Sequence, residues 1–548
     1  MKNNIILDVD VAVDILVKRP PHGHSAEEAF EKALQTECRV WLVAACLPAL
    51  LERLEEAFQE TARNAGADAD KEAASSKARD ALRGFLAKTS VLSSYGFDAE
   101  RALASEHPLN ALMLCAADAF TDDVEILSRD PELLRNDKRA ADPQTFVDRD
   151  DRRSLPEGPI PLVDLAKQQH RILSEIEKGI TNVLRHGQYI MGPEIKALEE
   201  KLAEYTGVEH VVCCSSGTDA LLMALMAHDV GPGDAIFTPS FTFISTAEVV
   251  SLLGATPVFV DIDPRTFNMG PECLEKAILA CKENNPAIYP LPALHERSST
   301  TLKPKAIIPV DLFGLPAEYD RINAIASKHG LFVIEDAAQS FGAEVHGKRA
   351  CSLGDIGCTS FFPAKPLGCY GDGGAIFTQD GDLAERMTSV RVHGKGRDKY
   401  DNARIGLNAR MDTLQAALLL PKLEIFPEEL AARNRVAKLY TEWLSPHEAL
   451  QTPYIPEGLQ SAWAQYSILT DRREDMQSAL KAKGIPTAVY YPKPLHLQTA
   501  FAGLGYEEGD FPASELAARR IVSLPMHPYL TDRQISMIAT EVAAVLNG

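Results

Sequence analysis

From residue 208 to residue 340 the sequence returns five times to one pattern: a short apolar run, a cluster of small or acidic residues, then a helical stretch. The runs are V-E-H-V-V-C-C from Val208, A-I-F from Ala235, A-T-P-V-F-V-D-I-D from Ala255, K-A-I-I-P-V-D-L-F-G from Lys305 and L-F-V-I-E-D-A-A-Q-S from Leu331. Apolar runs of this length, punctuated by helices, predict an α/β domain around a buried sheet. In open sheets of this class ligands sit beyond the carboxyl ends of the strands. The residues that close each run are therefore the ones to read for function. Helical spacing covers Gln168 to His186, Glu194 to Tyr205 and Leu221 to Ala227, and residues 282–305 read as a long surface loop.

Three of the run ends carry candidate chemistry. Ser215-Ser216-Gly217-Thr218 lies between a strand and a helix start, where free N–H groups and the helix dipole suit a phosphate. Phe241 and Phe243 follow the second run; either ring can stack on a flat ligand or belong to the core. Glu335-Asp336 ends the last run, with Gln339 following. A buried Asp there is costly without a cationic partner, and a protonated pyridine nitrogen would be one. A helix cap is the other reading of Asp336.

Beyond them comes T-S-F-F-P-A-K-P-L-G-C-Y-G-D-G-G, residues 359–374. Pro366 disfavours helical backbone at Lys365, so that lysine is presented from a turn or extended segment. The glycines let backbone pass close to a ligand or take positive φ. A lysine desolvated in such a loop has a lowered pKa and becomes a nucleophile toward a carbonyl group, and a surface lysine in a glycine loop is the other reading of this stretch. Thr218, Phe243, Asp336, Gln339, Ser360 and Lys365 are individually weak signals. Together they point to pyridoxal 5'-phosphate.

Residues 159–548 resemble the DegT/StrS-type nucleotide-sugar aminotransferases, through R-H-G-Q-Y-I-M-G-P-E, S-S-G-T-D-A-L, I-E-D-A-A-Q-S-F-G-A, S-F-F-P-A-K-P-L-G-C-Y-G-D-G-G-A and S-L-P-M-H-P-Y-L. The resemblance implies a type I, aspartate aminotransferase-like fold, with a large cofactor domain at 159–420 and a small domain at 421–548. It implies that Lys365 bonds covalently to pyridoxal phosphate and that Asp336 holds the pyridine nitrogen. Gln339 lies by the phenolic oxygen, Phe243 stacks, and Gly217, Thr218 and Ser360 hold the phosphate. Asn408, in R-I-G-L-N-A-R-M-D-T-L-Q-A-A, matches an Asn supplied by the neighbouring subunit, which implies a homodimer with shared sites. Arg410, Tyr490 and Tyr491 match positions that approach the sugar, although Tyr490 stands where close relatives often carry His. The branch most resembled aminates UDP-2-acetamido-2-deoxy-3-oxo-glucuronate in surface polysaccharide synthesis, with glutamate as amino donor. Relatives that dehydrate carry His in place of the lysine, so Lys365 favours transfer. Another UDP- or dTDP-linked keto-sugar is the alternative substrate.

The chain of 548 residues is too long for one compact core. Residues 1–134 read as a separate small α/β module, with strands at Ile5 to Leu7 and in V-E-I-L, and helices at Ala26 to Leu34, Val43 to Phe58, Arg79 to Ala87 and Pro108 to Phe120. This order resembles the PIN domain, a nuclease fold that gathers carboxylates around divalent metal. Asp8, Asp10 and Asp14 match its early polar and acidic positions, and Asp130 replaces an Asn of its closing motif. Leu109 and Asn110 stand where an acidic residue is usual, and Ala44-Ala45-Cys46 is followed by no polar anchor. Hard cations need several oxygen ligands, so a degenerate module for binding or assembly is expected, with no metal. Asp8 and Asp10 read equally as helix caps. A rival reading of the whole chain is a PIN-type RNA-acting protein with a passive aminotransferase-like domain. Polar, proline-punctuated residues 135–158 read as a linker.

A net charge of −21 argues against a general nucleic-acid surface. Ten scattered cysteines without a C-x-x-C pair, and an N-terminal apolar run broken by Asp8 and Asp10, read as a reduced cytoplasmic protein. No uncharged stretch is long enough to span a bilayer.

Overall fold

The computed structural model describes residues 160–293, 302–398 and 400–547, together with five strands and a few helical positions before residue 160. Two compact units divide the chain, Met1–Gly158 and Pro159–Gly548.

In the first unit, β1 (Asn4–Leu7), β2 (Arg39–Val43), β3 (Ser90–Leu92), β4 (Val124–Leu127) and β5 (Ala140–Ala141) form a wholly parallel sheet in the order β3-β2-β1-β4-β5. β1 and β4 are the two strands expected from sequence. Val43 ends a strand instead of starting a helix, and β5 falls inside the stretch read as a linker. Asp8, Asp10, Asp14, Ala44, Leu109, Asn110 and Asp130 lie outside the described residues, so the features that carried the PIN resemblance are not displayed.

In the second unit a seven-stranded sheet is built from β6 (His210–Cys214), β7 (Asp234–Pro239), β8 (Thr256–Val260), β9 (Lys303–Ile307), β10 (Phe332–Asp336), β13 (Ile356–Ser360) and β14 (Gly374–Thr378). Its order is β6-β14-β13-β10-β9-β7-β8. All neighbours are parallel except that β14 runs antiparallel to both β13 and β6. Successive side chains face opposite sides of a strand. Phe237, Ile307 and Val333 accordingly enter one buried layer while Ile236, Ala306 and Ile334 enter the other. Helices cover both faces, which accounts for strands that are apolar throughout. The short β11 (Glu344–Val345), β12 (Lys348–Arg349) and β16 (Leu459–Gln460) make a separate antiparallel sheet. A third, antiparallel sheet is formed by β15 (Leu450–Gln451), β17 (Tyr466–Thr470) and β18 (Ile521–Leu524).

Three boundaries differ from the reading of the sequence. The expected helix Gln168 to His186 is broken at Ile172, between Leu165–Arg171 and Leu173–His186. A single helix, Thr413–Leu444, runs through residue 420, where the two domains were expected to meet. Its early residues Leu419 and Phe426 pack in one buried cluster with Phe341 and Phe361, and Tyr440 and Leu444 pack in another with Tyr466 and Val522. The 282–305 stretch is not simply a surface loop: Tyr289 is buried and its hydroxyl accepts from the Asp261 N–H at 2.8 Å. Ile288 and Leu291 pack against the same core.

His527, in S-L-P-M-H-P-Y-L, is buried beside helix Thr413–Leu444, and neither ring nitrogen has a hydrogen-bond partner of normal geometry among the described residues. Burial pushes its pKa down to about 4, with Asp164 pulling the other way. A histidine depressed in the folded state lets the unfolded chain bind the extra proton, so stability falls as pH drops from about 6.5 toward 4. Denaturation of wild type and His527→Leu at pH 7 and pH 5 should show wild type losing about 2 kcal/mol more over that interval.

Candidate active site

The strand register brings the separate sequence motifs together. Ser360, Gly374 and Cys214 stand in one row across β13, β14 and β6. Immediately beyond Cys214 the chain turns at Ser215-Ser216 into the helix Gly217–Ala227. Ser216 caps that helix, its hydroxyl accepting from the Asp219 N–H at 3.0 Å, and Asp219 in turn accepts from the hydroxyls of Ser215 and Ser216. The first amides of a helix, here Gly217 and Thr218, have no acceptor within it and face outward with the positive end of its dipole. The Thr218 and Ser245 hydroxyls pair at 2.8 Å on the rim of this cup.

Glycine is required here for close approach, not for an unusual φ. A Cβ on Gly217 would stand 2.7 Å from Ser360 Cβ, and one on Gly374 would stand 2.4 Å from the Ser216 carbonyl oxygen. Gly368 backs onto the turn Phe362–Lys365, where a Cβ would meet the Pro363 oxygen at 2.6 Å. None of Gly368, Gly371, Gly373 and Gly374 takes a positive φ. That turn is closed by the Lys365 N–H donating to the Phe362 carbonyl at 2.9 Å, so Lys365 is presented from turn backbone as its Pro366 requires.

Asp336 ends β10, buried, with Oδ2 accepting from the Thr246 hydroxyl at 2.8 Å and Oδ1 from the Ala338 N–H at 3.2 Å. Desolvation raises its pKa, the two hydrogen bonds oppose that, and Lys365 opposes it further. Desolvation lowers the Lys365 amine in turn, partly offset by Asp336. Lys365 keeps some exposed surface. A carboxylate and an amine thus share one poorly hydrated space, each unable to find full compensation in the protein. Two neighbouring acids differ. Glu335 is satisfied by the N–H groups of Cys351 and Leu353, and Asp311 by Tyr319, Ser340 and Ala317. Those are structural carboxyls; Asp336 is the one that faces the lysine.

Gln339 is buried, its Oε1 accepting from the Phe313 N–H at 2.7 Å and its Nε2 donating to the Tyr491 hydroxyl at 3.3 Å. Phe313 takes φ 62° to offer that N–H. Phe241 is wholly buried, whereas Phe243 is 53% exposed, with its ring 6.2 Å from that of Tyr491. The stacking candidate is therefore Phe243, and Phe241 is core. Tyr490 packs on Tyr491 in the same cluster. Between Asn408 and Arg410, Ala409 is buried and its carbonyl accepts from the Ser215 N–H at 3.0 Å, so this segment runs beside the turn that opens the cup. Asn408 is exposed and its Oδ1 accepts from Arg410 Nε at 2.9 Å.

The donor set fits pyridoxal phosphate. A phosphate suits the cup of outward amides, a pyridinium gives Asp336 the cation its burial calls for, and an aldehyde meets the desolvated amine of Lys365. Thr246, which holds Asp336, and Ser245, which holds Thr218, escaped the sequence reading. Their only trace is S-T at the start of a helix directly after F-T-F-I.

The family model described as DegT/DnrJ/EryC1/StrS aminotransferase matches residues 170–543. The chain is 51% identical over 379 residues to the UDP-2-acetamido-2-deoxy-3-oxo-D-glucuronate aminotransferase of Pseudomonas aeruginosa, covering 69% of this chain and 98% of that protein. It is 41% identical to a UDP-N-acetyl-3-dehydro-alpha-D-glucosamine 3-aminotransferase of Acidithiobacillus ferrooxidans, covering 71% and 98%. Among solved structures, a DegT DnrJ EryC1 StrS aminotransferase from Brucella abortus superposes with TM-score 0.66 at 50% identity, covering 70% of this chain and 98% of that one. NtdA of Bacillus subtilis, solved with bound PMP, superposes with TM-score 0.62 at 28% identity, covering 72% and 87%.

Gly374→Ala should force β14 away from the Ser216 turn at a cost of about 1–3 kcal/mol, as overpacking does. A lowered thermal midpoint together with weaker binding of pyridoxal phosphate in a titration is the expected outcome.

Proposed function

The chain belongs to the DegT/DnrJ/EryC1/StrS aminotransferase family, and on that premise we propose that it moves an amino group from glutamate to the ketone of UDP-2-acetamido-2-deoxy-3-oxo-glucuronate. The observation that carries the chemistry is the buried Asp336, held by Thr246 and Ala338 at the same end of the sheet that sets Ser360 against the helix start at Gly217. The substrate rests on the 51% identity to the Pseudomonas aeruginosa enzyme. A relative that makes a dTDP-3-amino sugar is 36% identical and keeps a dTDP-linked keto-sugar as the second reading.

Pyridoxal phosphate supplies an electron sink that stabilises negative charge at the carbon losing its proton. Gly217, Thr218 and Ser360 would hold its phosphate, Phe243 its ring face, Asp336 its ring nitrogen and Gln339 its phenolic oxygen. Lys365 would bind the cofactor covalently. As a free amine it would take the donor's α-proton as general base and give a proton back as general acid on the far side of the transferred nitrogen. Its lowered pKa keeps a share of the amine neutral, as a base must be. Asp336, fixed by Thr246 and Ala338, would hold its carboxylate toward the ring nitrogen. Tyr491, tied to Gln339, and the adjacent Tyr490 line the side on which the sugar enters.

Asn408 and Arg410 belong in this reading to the neighbouring subunit's site. The exposed Asn408 and half-buried Arg410, beside the turn that opens the cup, support a homodimer in which each subunit completes the other. In the first unit, the parallel sheet is compatible with a PIN-like module serving assembly; metal-dependent RNase activity of the full chain, lost in Asp8→Ala, would overturn that role.

Lys365→Ala should abolish turnover and remove the absorption band of lysine-bound cofactor, and an unchanged spectrum and rate would sink the assignment. A panel of UDP- and dTDP-linked keto-sugars should place the glucuronate first by kcat/KM. Lys365→Ala and Asn408→Ala subunits, each inactive alone, should regain about a quarter of wild-type activity when unfolded together and refolded, because half of the random dimers are mixed and each holds one intact site. No recovery would remove the shared site.

A further inference from the structure

Lys422 lies wholly buried within the helix Thr413–Leu444. Its ammonium donates to the Gly368 carbonyl oxygen at 2.6 Å and sits 3.8 Å from the centre of the Tyr370 ring. Seven residues earlier on the same helix, Gln415 Oε1 accepts from the Tyr370 N–H at 3.0 Å. Seven residues are close to two full turns, so both side chains leave one face of the helix. They seize the loop between β13 and β14 at two points, two residues apart.

The loop needs such a hold. It contains no helix or strand, and its main internal ties are Lys365 N–H to Phe362, Cys369 N–H to Phe361 and Phe361 N–H to Gly373. Gly368, whose carbonyl Lys422 binds, is packed directly on the backbone of Phe362 and Pro363 in the turn that presents Lys365. A fixed Gly368 therefore fixes the base of the Lys365 stem.

Keeping a cation here is expensive. Desolvation pushes the Lys422 amine down to about 8, while Cys369 in the loop and Glu429 on the same helix pull it upward. Glu429 does not sit against it as an ion partner, being held by Gln168 at 2.8 Å and by the Tyr529 hydroxyl. A methionine would fill the space without that cost, but it would leave the buried Gly368 carbonyl without its donor. The cation over an aromatic face recovers part of the penalty.

We infer that Lys422, with Gln415, is a positioning residue that clamps the Lys365 loop to the long helix. The inference rests on the reading of Lys365 as the cofactor lysine, but the clamp itself is testable without cofactor.

Amide hydrogen exchange of the full-length, cofactor-free protein should show peptides spanning 361–371 exchanging roughly tenfold faster in Lys422→Met and in Gln415→Ala, with β7 and β8 unchanged. After loading with pyridoxal phosphate, both variants should lose kcat by roughly tenfold with KM for the keto-sugar changed less than about twofold. Unchanged exchange at 361–371 in either folded variant, or an equal rise in every peptide, overturns the clamp. If Lys422→Met does not fold, Gln415→Ala, at a half-buried position, decides the matter alone. Faster exchange with no cofactor bound by wild type would instead uphold the clamp and strike the proposed reaction.

Discussion

The site is organised around a carboxylate that the fold removes from water without neutralising. Burying Asp336 costs several kcal/mol unless hydrogen bonds and a cation compensate. The fold provides the bonds, from Thr246 and Ala338, and leaves the remaining demand to be met from the direction of Lys365. That unmet demand shapes the neighbourhood. The helix carrying Thr246 must start where β7 ends, and the turn at Ala337–Ala338 must bring an N–H back toward β10. The antiparallel insertion of β14 between β13 and β6 sets Ser360 against Gly217. The glycines that allow this insertion sit where backbone meets backbone within the protein itself.

Three acids cluster where β9 and β10 end, and their different treatment shows how a fold separates structure from chemistry. Glu335 and Asp311 have pKa values raised by burial, yet each is enclosed by protein donors. Their adjacent positions along the chain place Glu335 and Asp336 on opposite faces of the sheet. One residue of register separates a carboxyl that ties the 351–354 loop from one that serves a ligand.

Much of this was legible in the sequence because it is written in residue types with few uses. A lysine before proline in a glycine-dense loop, and an acid closing an apolar run, each narrow the options. The hydroxyls of Ser245 and Thr246 do not, since serine and threonine at a helix start are ordinary caps. Phe241 and Phe243, two residues apart, looked alike; the strand stops at Pro239 and only the second ring clears the core. Tyr289 was hidden because a proline- and serine-containing stretch gives no period that would mark one inward ring. The two-residue β5 is too short to carry any pattern, and the helix Thr413–Leu444 continues through residue 420.

That helix has an evolutionary consequence. Asp412 bridges to Ile190 at its start, and Gln415 and Lys422 reach one loop from one face. Each residue inserted or deleted between them would turn the later side chain by about 100° around the axis. Indels should thus be excluded from this interval in functional descendants.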